Sequence, residues 1–281
     1  MEMKDQSEAR GIFRKVTSSE EDEINLLEAA LLIAKEIEYP NLDISKYSNK
    51  INLMADEIKG RTMGNTDAFF LVSEINKYLF SEEGFRGNKD DYYDPRNSFL
   101  NDVLDRKTGI PIALSVMYME IGARVGLPLS GIGFPGHFII KCSAQSEILV
   151  DPFNKGGILS ETDCQQMLNQ MYAGGVKLKG DFLESVTKKQ ILTRMLQNLK
   201  SIYINSKDFV KALSVVDMLL IIGPDNTSEL RDRGLISYNL ECFTRALSDL
   251  EGYLRLVPRA EDTEATRNVI AIIKDLVARM N

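Results

Sequence analysis

His137 is the one histidine of the 281-residue chain, and it follows Phe134-Pro135-Gly136 at the start of a segment, 137–142, whose alternation predicts a β-strand. Fourteen residues further on, a second predicted strand ends in Val150-Asp151-Pro152. Adjacent strands would bring the Asp151 carboxylate to one imidazole nitrogen, orienting the ring and holding its tautomer, like the base and orienting acid of a Cys-His-Asp triad. The same pair has a plainer reading. A buried imidazole satisfied by a carboxylate ties two strands together, and Asp151 also suits a turn before Pro152.

The elements that must position this pair are legible in outline. Residues 1–20 hold few apolar groups and are expected to be a loosely ordered lead-in. An acidic run from Ser19 predicts a capped amphipathic helix through Ile24, Leu27 and Leu31, stopped by Pro40. Helices over 43–59 and 66–81 follow, then a turn-rich ordered loop at 84–95 and a short helix at 97–105. The next helix, 111–125, opens on Pro111 and is apolar nearly all round, so it should be buried. Strands at 130–134, 137–142 and 148–150 and a helix at 160–172 complete an α+β domain placed at 21–178.

The remainder repeats. Pro224 and Pro258 are 34 residues apart, as are Ala212 and Ala246, Val216 and Leu250, and Leu219 and Tyr253. That period, with small residues where paired helices approach, marks tetratricopeptide-type repeats. They are assigned to 183–281, with 183–204 as the first helix, 262–280 as a cap, and one side packed on the first domain. Gly174, Gly175 and Gly180 in the connection, 174–185, suggest hinge freedom.

With 34 basic and 41 acidic residues the net charge is −7, which disfavours nucleic acid and acidic membranes as partners. Cys142, Cys164 and Cys242 are dispersed and odd in number, against a disulfide framework or zinc site and in keeping with a cytoplasmic location. Asp90, Asp91 and Asp94 lack the glycine and final glutamate of a calcium loop, and the Gly-Gly pairs lack a phosphate-loop lysine. No metal or cofactor is expected.

Phe85-Arg-Gly-Asn88, Asp94-Pro-Arg-Asn97-Ser98, Leu104-Asp-Arg-Lys-Thr-Gly-Ile-Pro-Ile112, Gly126-Leu-Pro128, Gly133-Phe-Pro-Gly-His137-Phe and Asp151-Pro-Phe153, with the repeats after them, resemble the bacterial SirB proteins. The core of that family belongs to the transglutaminase-like superfamily. The resemblance implies a papain/transglutaminase-like α+β domain with a small antiparallel sheet, an all-α repeat domain behind it, and a regulatory role. In active members of the superfamily a nucleophilic cysteine opens the helix that precedes a Gly-Ile/Leu-Pro turn. Its position corresponds here to Pro111, about fifteen residues before Gly126. Proline has neither thiol nor N–H.

Other nucleophiles fit poorly. Thr108 precedes the helix, Ser115 lies a full turn inside it, and Cys142, an odd five residues beyond His137, should face the opposite side of the sheet. Asn88 and Asn97 enter as pocket candidates through the resemblance, beside the plainer reading of turn or cap residues. Tyr93 and Ser115 are further candidates for the pocket, Tyr93 sharing with Tyr92 and Phe99 the reading of core or pocket wall. The expected function is a non-catalytic, regulatory or protein-binding role with a protein or peptide partner. The alternatives are a hydrolase or acyl transferase that uses His137 and Asp151 with another nucleophile or an activated water, and a scaffold with a sealed cleft.

Overall fold

The protein is described by a computed structural model covering residues 8–142 and 147–280. Its first helix, α1 (Glu8–Thr17), falls where the sequence predicts a loosely ordered lead-in. Its apolar groups are few, but Ala9, Phe13 and Thr17 are spaced by four and all are buried. They close onto α2 (Leu26–Ile37), which is buried from Ala29 to Ala34. Docking against a neighbour that is already apolar supplies what the segment's own composition lacks. Residues 1–7 of the expected lead-in lie outside the described residues.

The acidic run does not open α2. It forms one 3-10 turn, Glu21–Glu23, and the helix starts after Asn25, whose side chain accepts the Glu28 N–H. Next come α3 (Ile44–Thr62), capped by Asp43, and α4 (Ala68–Asn76), capped by Asp67 and continued by a π turn at Lys77–Glu82. The turn-rich loop after it contains β1 (Arg86–Gly87) and leads to α5 (Leu100–Arg106) and β2 (Thr108–Gly109), which pairs in parallel with β1. Helix α6 (Pro111–Val125) has the predicted bounds. Pro111 occupies its first position, Gly126 ends it at φ +86°, and every residue from Pro111 to Tyr118 is buried.

Five antiparallel strands follow on from this helix: β3 (Leu129–Ile132), β4 (Ile139–Cys142), β5 (Ile148–Asp151), β6 (Gly157–Leu159) and, after α7 (Glu161–Tyr172), β7 (Ser185–Val186). Their spatial order is β6-β5-β4-β3-β7. Alternation divides the sheet between two cores. Phe138, Ile140, Cys142 and Val150 join the main core with α6, whereas Phe134, Ile139 and Leu149 meet Cys164, Leu168 and Leu183 on the other face. Helix α7 carries a full capping box, Ser160 with Asp163.

Segment 174–185 is pinned, contrary to the hinge its glycines suggest. Gln165 accepts the Leu178 N–H and donates to the Val176 carbonyl, Leu183 is buried, and Ser185 begins β7. The helical part comprises α8 (Lys188–Asn205), α9 (Phe209–Ile222), α10 (Thr227–Asn239), α11 (Phe243–Leu256) and α12 (Thr263–Met280). Ala212 and Ala246 are both fully buried, and a Cβ on Gly234 would lie 2.7 Å from Leu250, so the paired helices approach closely where small residues recur. The array is fastened to the first part by Arg10, which pairs with Glu36 at 2.6 Å and Asp217 at 2.8 Å, and by Lys211 with Glu38 at 2.8 Å.

Because Phe13 is fully buried between α1 and its neighbours, Phe13→Ala should destabilise the protein by about 3–5 kcal/mol. Urea unfolding measures it. A loss below about 0.5 kcal/mol, the range of an ordinary surface change, would mean that α1 contributes nothing to the core.

Candidate functional site

The turn before β4 is built to present an imidazole. His137 N–H donates to the Phe134 carbonyl at 3.0 Å, and Gly136 has φ +70°. Any Cβ at Gly136 would also lie 2.6 Å from the Met171 sulfur. Glycine suits both the left-handed conformation and the close approach of Met171 there. On the neighbouring strand, Asp151 ends β5 and caps the 3-10 turn Pro152–Asn154, accepting the N–H groups of Phe153 at 3.0 Å and Asn154 at 3.3 Å on one oxygen. Its other oxygen accepts the Asn154 side-chain amide at 2.7 Å and faces His137 Nε2 at 3.0 Å.

This arrangement fixes charge and tautomer. Burial alone would raise the Asp151 carboxyl, but the His137 hydrogen bond and the Asn154 donors outweigh it and hold the group below its ordinary value. Asp151 is therefore an anion at neutral pH, and since a carboxylate only accepts, Nε2 is the nitrogen that presents a proton to it. Nδ1 has no hydrogen-bond partner among the described residues. The ring stands edge-on to Phe153, centroids 5.8 Å apart, and Phe153 in turn fills the space a side chain at Gly87 would need.

A cavity of about 30 Å³ lies against the imidazole, lined by Tyr92, Pro111, Ile112, His137, Phe138, Arg194 and Asn198. His137 and the N-terminal end of α6 thus face one space, and the first α6 residue there is Pro111, followed by Ile112. Arg194, from α8, donates to the His137 carbonyl at 2.6 Å and lies over the Phe138 ring at 5.5 Å. Burial lowers its guanidinium from the usual arginine value, opposed by the Tyr92 and Tyr172 phenols.

The other candidates divide. Asn88 donates to Asn97 at 3.1 Å, and Asn97, fully buried, donates to the carbonyls of Asp91 at 2.7 Å and Tyr92 at 3.3 Å. Neither lines the cavity. Together they hold the loop that hangs Tyr92 in its wall. Tyr93 is 75% exposed, makes an edge-type ring contact with Tyr92 and does not line the cavity. Ser115 is fully buried inside α6, away from the cavity, with its hydroxyl unpaired among the described residues. Cys142 faces the main core, as strand parity requires, and burial pushes the Cys164 thiol up to about 11. Asp94 is engaged with Arg96 and Arg106 at 2.8 and 3.2 Å.

Sequence reasoning missed Arg194, Asn198 and Asn154. The first two lie four apart on one face of α8, a spacing that says nothing of a histidine 57 residues away. Asn154 follows Asp151 by three, the offset at which an Asx-type cap recruits a neighbour, and could have been found.

Residues 45–197 match the transglutaminase-like superfamily, and residues 199–271 match the tetratricopeptide repeat. A UPF0162 protein of Xylella fastidiosa is 34% identical over 260 residues, covering 91% of this chain and 92% of the relative. The chain belongs to the UPF0162 family. Another UPF0162 protein, from Vibrio cholerae, is 30% identical over 89% of this chain and 92% of its own. Human F-box only protein 21 is 31% identical over 47% of this chain and 22% of its own length. This UPF0162 member carries the superfamily core through most of α8, so the match includes Arg194 and ends one residue before Asn198.

A buried carboxylate with a lowered pKa stabilises the fold above the unfolded value of about 3.9, and that contribution is lost as pH falls through the lower folded value. Asp151→Asn should cost about 3 kcal/mol at pH 7, the scale of breaking a buried pair. The difference from the parent should shrink below about pH 4. Urea midpoints at pH 7 and pH 3 check both statements, and an unchanged difference at the two pH values would contradict the assignment.

Proposed function

We propose that this protein is a non-catalytic, polypeptide-binding member of its family, with the His137–Asp151 pair retained as part of the binding wall. One observation carries the reading: across the cavity from His137, the head of α6 is a proline, which offers neither sulfur to deprotonate nor N–H to hold an oxyanion. Among the described residues no thiol or hydroxyl is hydrogen-bonded to the imidazole. Tyr92 shares the cavity, but burial raises its phenol and so favours the un-ionised form. A cleft of protease-like ancestry already suits an extended polypeptide, and helical repeats commonly present a surface for one. The narrower resemblance to SirB proteins, with a regulatory task in the bacterial cytoplasm, belongs to the same proposal.

The cavity also favours a second reading. The space beside the imidazole is large enough to hold a water, and a water there is what a hydrolase without a side-chain nucleophile would use. A panel of acyl substrates and acyl- and thiol-reactive probes, run on the parent and on His137→Ala, separates the two. The binding reading expects no histidine-dependent turnover or labelling, and hydrolysis that disappears in His137→Ala would replace it with the enzyme reading.

Restoring the sulfur tests the geometry. Pro111→Cys should yield a thiol titrating below the free value of about 8.5, because it stands at a helix N-terminus across from His137. Iodoacetamide alkylation rates across pH read it, and an unperturbed thiol would show that position 111 does not address the imidazole.

A further inference from the structure

The cavity has a cation and no anion. Every other half-buried arginine of the described residues, from Arg10 to Arg245, pairs with a carboxylate. Among the described residues Arg194 has only the carbonyls of Phe134 and His137 and the face of the Phe138 ring, and it is placed where burial already costs its charge. A guanidinium has five donors in a fork that matches a carboxylate, and these two carbonyls leave part of it open. Beside it the Asn198 amide makes no hydrogen bond among the described residues.

The remaining walls point the same way. The first N–H groups of α6 lack intrahelical acceptors, and Ile112 of that turn lines the cavity. None of the seven lining residues is acidic, in a protein of net charge −7. The planar guanidinium fork of Arg194 matches a planar carboxylate, and the cavity of about 30 Å³ admits at least one oxygen of it.

The rim says what carries that carboxylate. Tyr92 and Tyr172 are 39% and 42% exposed, Met171 is 40% exposed, and both tyrosines lie close enough to act on the Arg194 charge. Partly exposed aromatic and thioether groups around a cationic socket suit a polypeptide with an apolar residue next to its acid.

We propose that the cavity between the head of α6, His137 and α8 is a carboxylate socket, in which Arg194 and Asn198 hold an acidic group of a bound polypeptide. This rests on the binding reading and narrows it to an anionic anchor, either the C-terminus of the polypeptide or one of its aspartate or glutamate side groups.

The lone histidine provides a reporter. In tag-free full-length protein, the imidazole carbon-bound protons of His137 give one set of NMR signals, which can be followed while three probes are added at millimolar concentration. N-acetyl-tyrosine carries a terminal carboxylate, N-acetyl-glutamyl-tyrosinamide carries its carboxylate on the glutamyl side group, and N-acetyl-tyrosinamide carries none. At least one acid should shift the signals saturably and the amide should not, with the stronger acid naming the source. Arg194→Gln should weaken that binding about tenfold or more, as expected for loss of a charge-assisted pair. Arg194 also clamps the histidine turn, so Asn198→Asp serves as a second variant. It leaves the clamp in place and should abolish binding of the acid by like charge. Equal shifts from the amide would leave a polypeptide site standing and remove the carboxylate. Silence from all three probes would also remove the socket, while the wider binding reading would still be decided by the His137→Ala comparison.

Discussion

A carboxylate can accept about four hydrogen bonds, and buried Asp151 receives four: two from the backbone of Phe153 and Asn154, one from the Asn154 amide and one from His137. An ion so deep in the protein is tolerated only when it is satisfied to this degree. That requirement ties the end of β5 to the turn after it and to the start of β4. It also sets which imidazole nitrogen is left over. Phe153, edge-on to the imidazole, and Arg194, on the His137 carbonyl, are both placed against this hydrogen-bonded pair.

What was readable in the sequence follows from where the signal resides. Helix α6 was legible to the residue because Pro111 and Gly126 are local punctuation, and the His137–Asp151 pairing because two strands with alternating patterns stood close in the sequence. Strands β1, β2 and β7 span two residues each and β6 three, too few to show a period, so only tertiary pairing reveals them. Helix α1 was misjudged on composition, since three buried positions look like poverty until a groove receives them. Tyr92 and Tyr93 are indistinguishable in type, and the asparagine ladder from Asn88 to Asn97 is what turns one ring inward and the other out.

The joint between the two parts is more intimate than two modules on a string. Helix α8 supplies the wall of the cavity with Arg194 and Asn198, and on the repeat side it holds Glu229 through Gln197 and Lys200 at 2.6 and 2.8 Å. Helix α1 closes the opposite side through Arg10, one guanidinium spanning Glu36 of α2 and Asp217 of α9. Asp217 also meets Arg245 and Arg233, so a run of alternating charge passes from the first helix into the second repeat. Displacement of the repeats would therefore be felt at the cavity through α8 itself.

Strand β7 has a consequence for anyone dividing the protein. It lies on the outer side of β3, at Gly131 and Ile132, and it is reached only after the last residue of the α7 unit. A fragment cut before residue 185 would bare the peptide groups that β7 now covers, and an unpaired strand rim is a template for other copies of itself. Aggregation of such a fragment would reflect a missing two-residue seal rather than an intrinsically unstable fold.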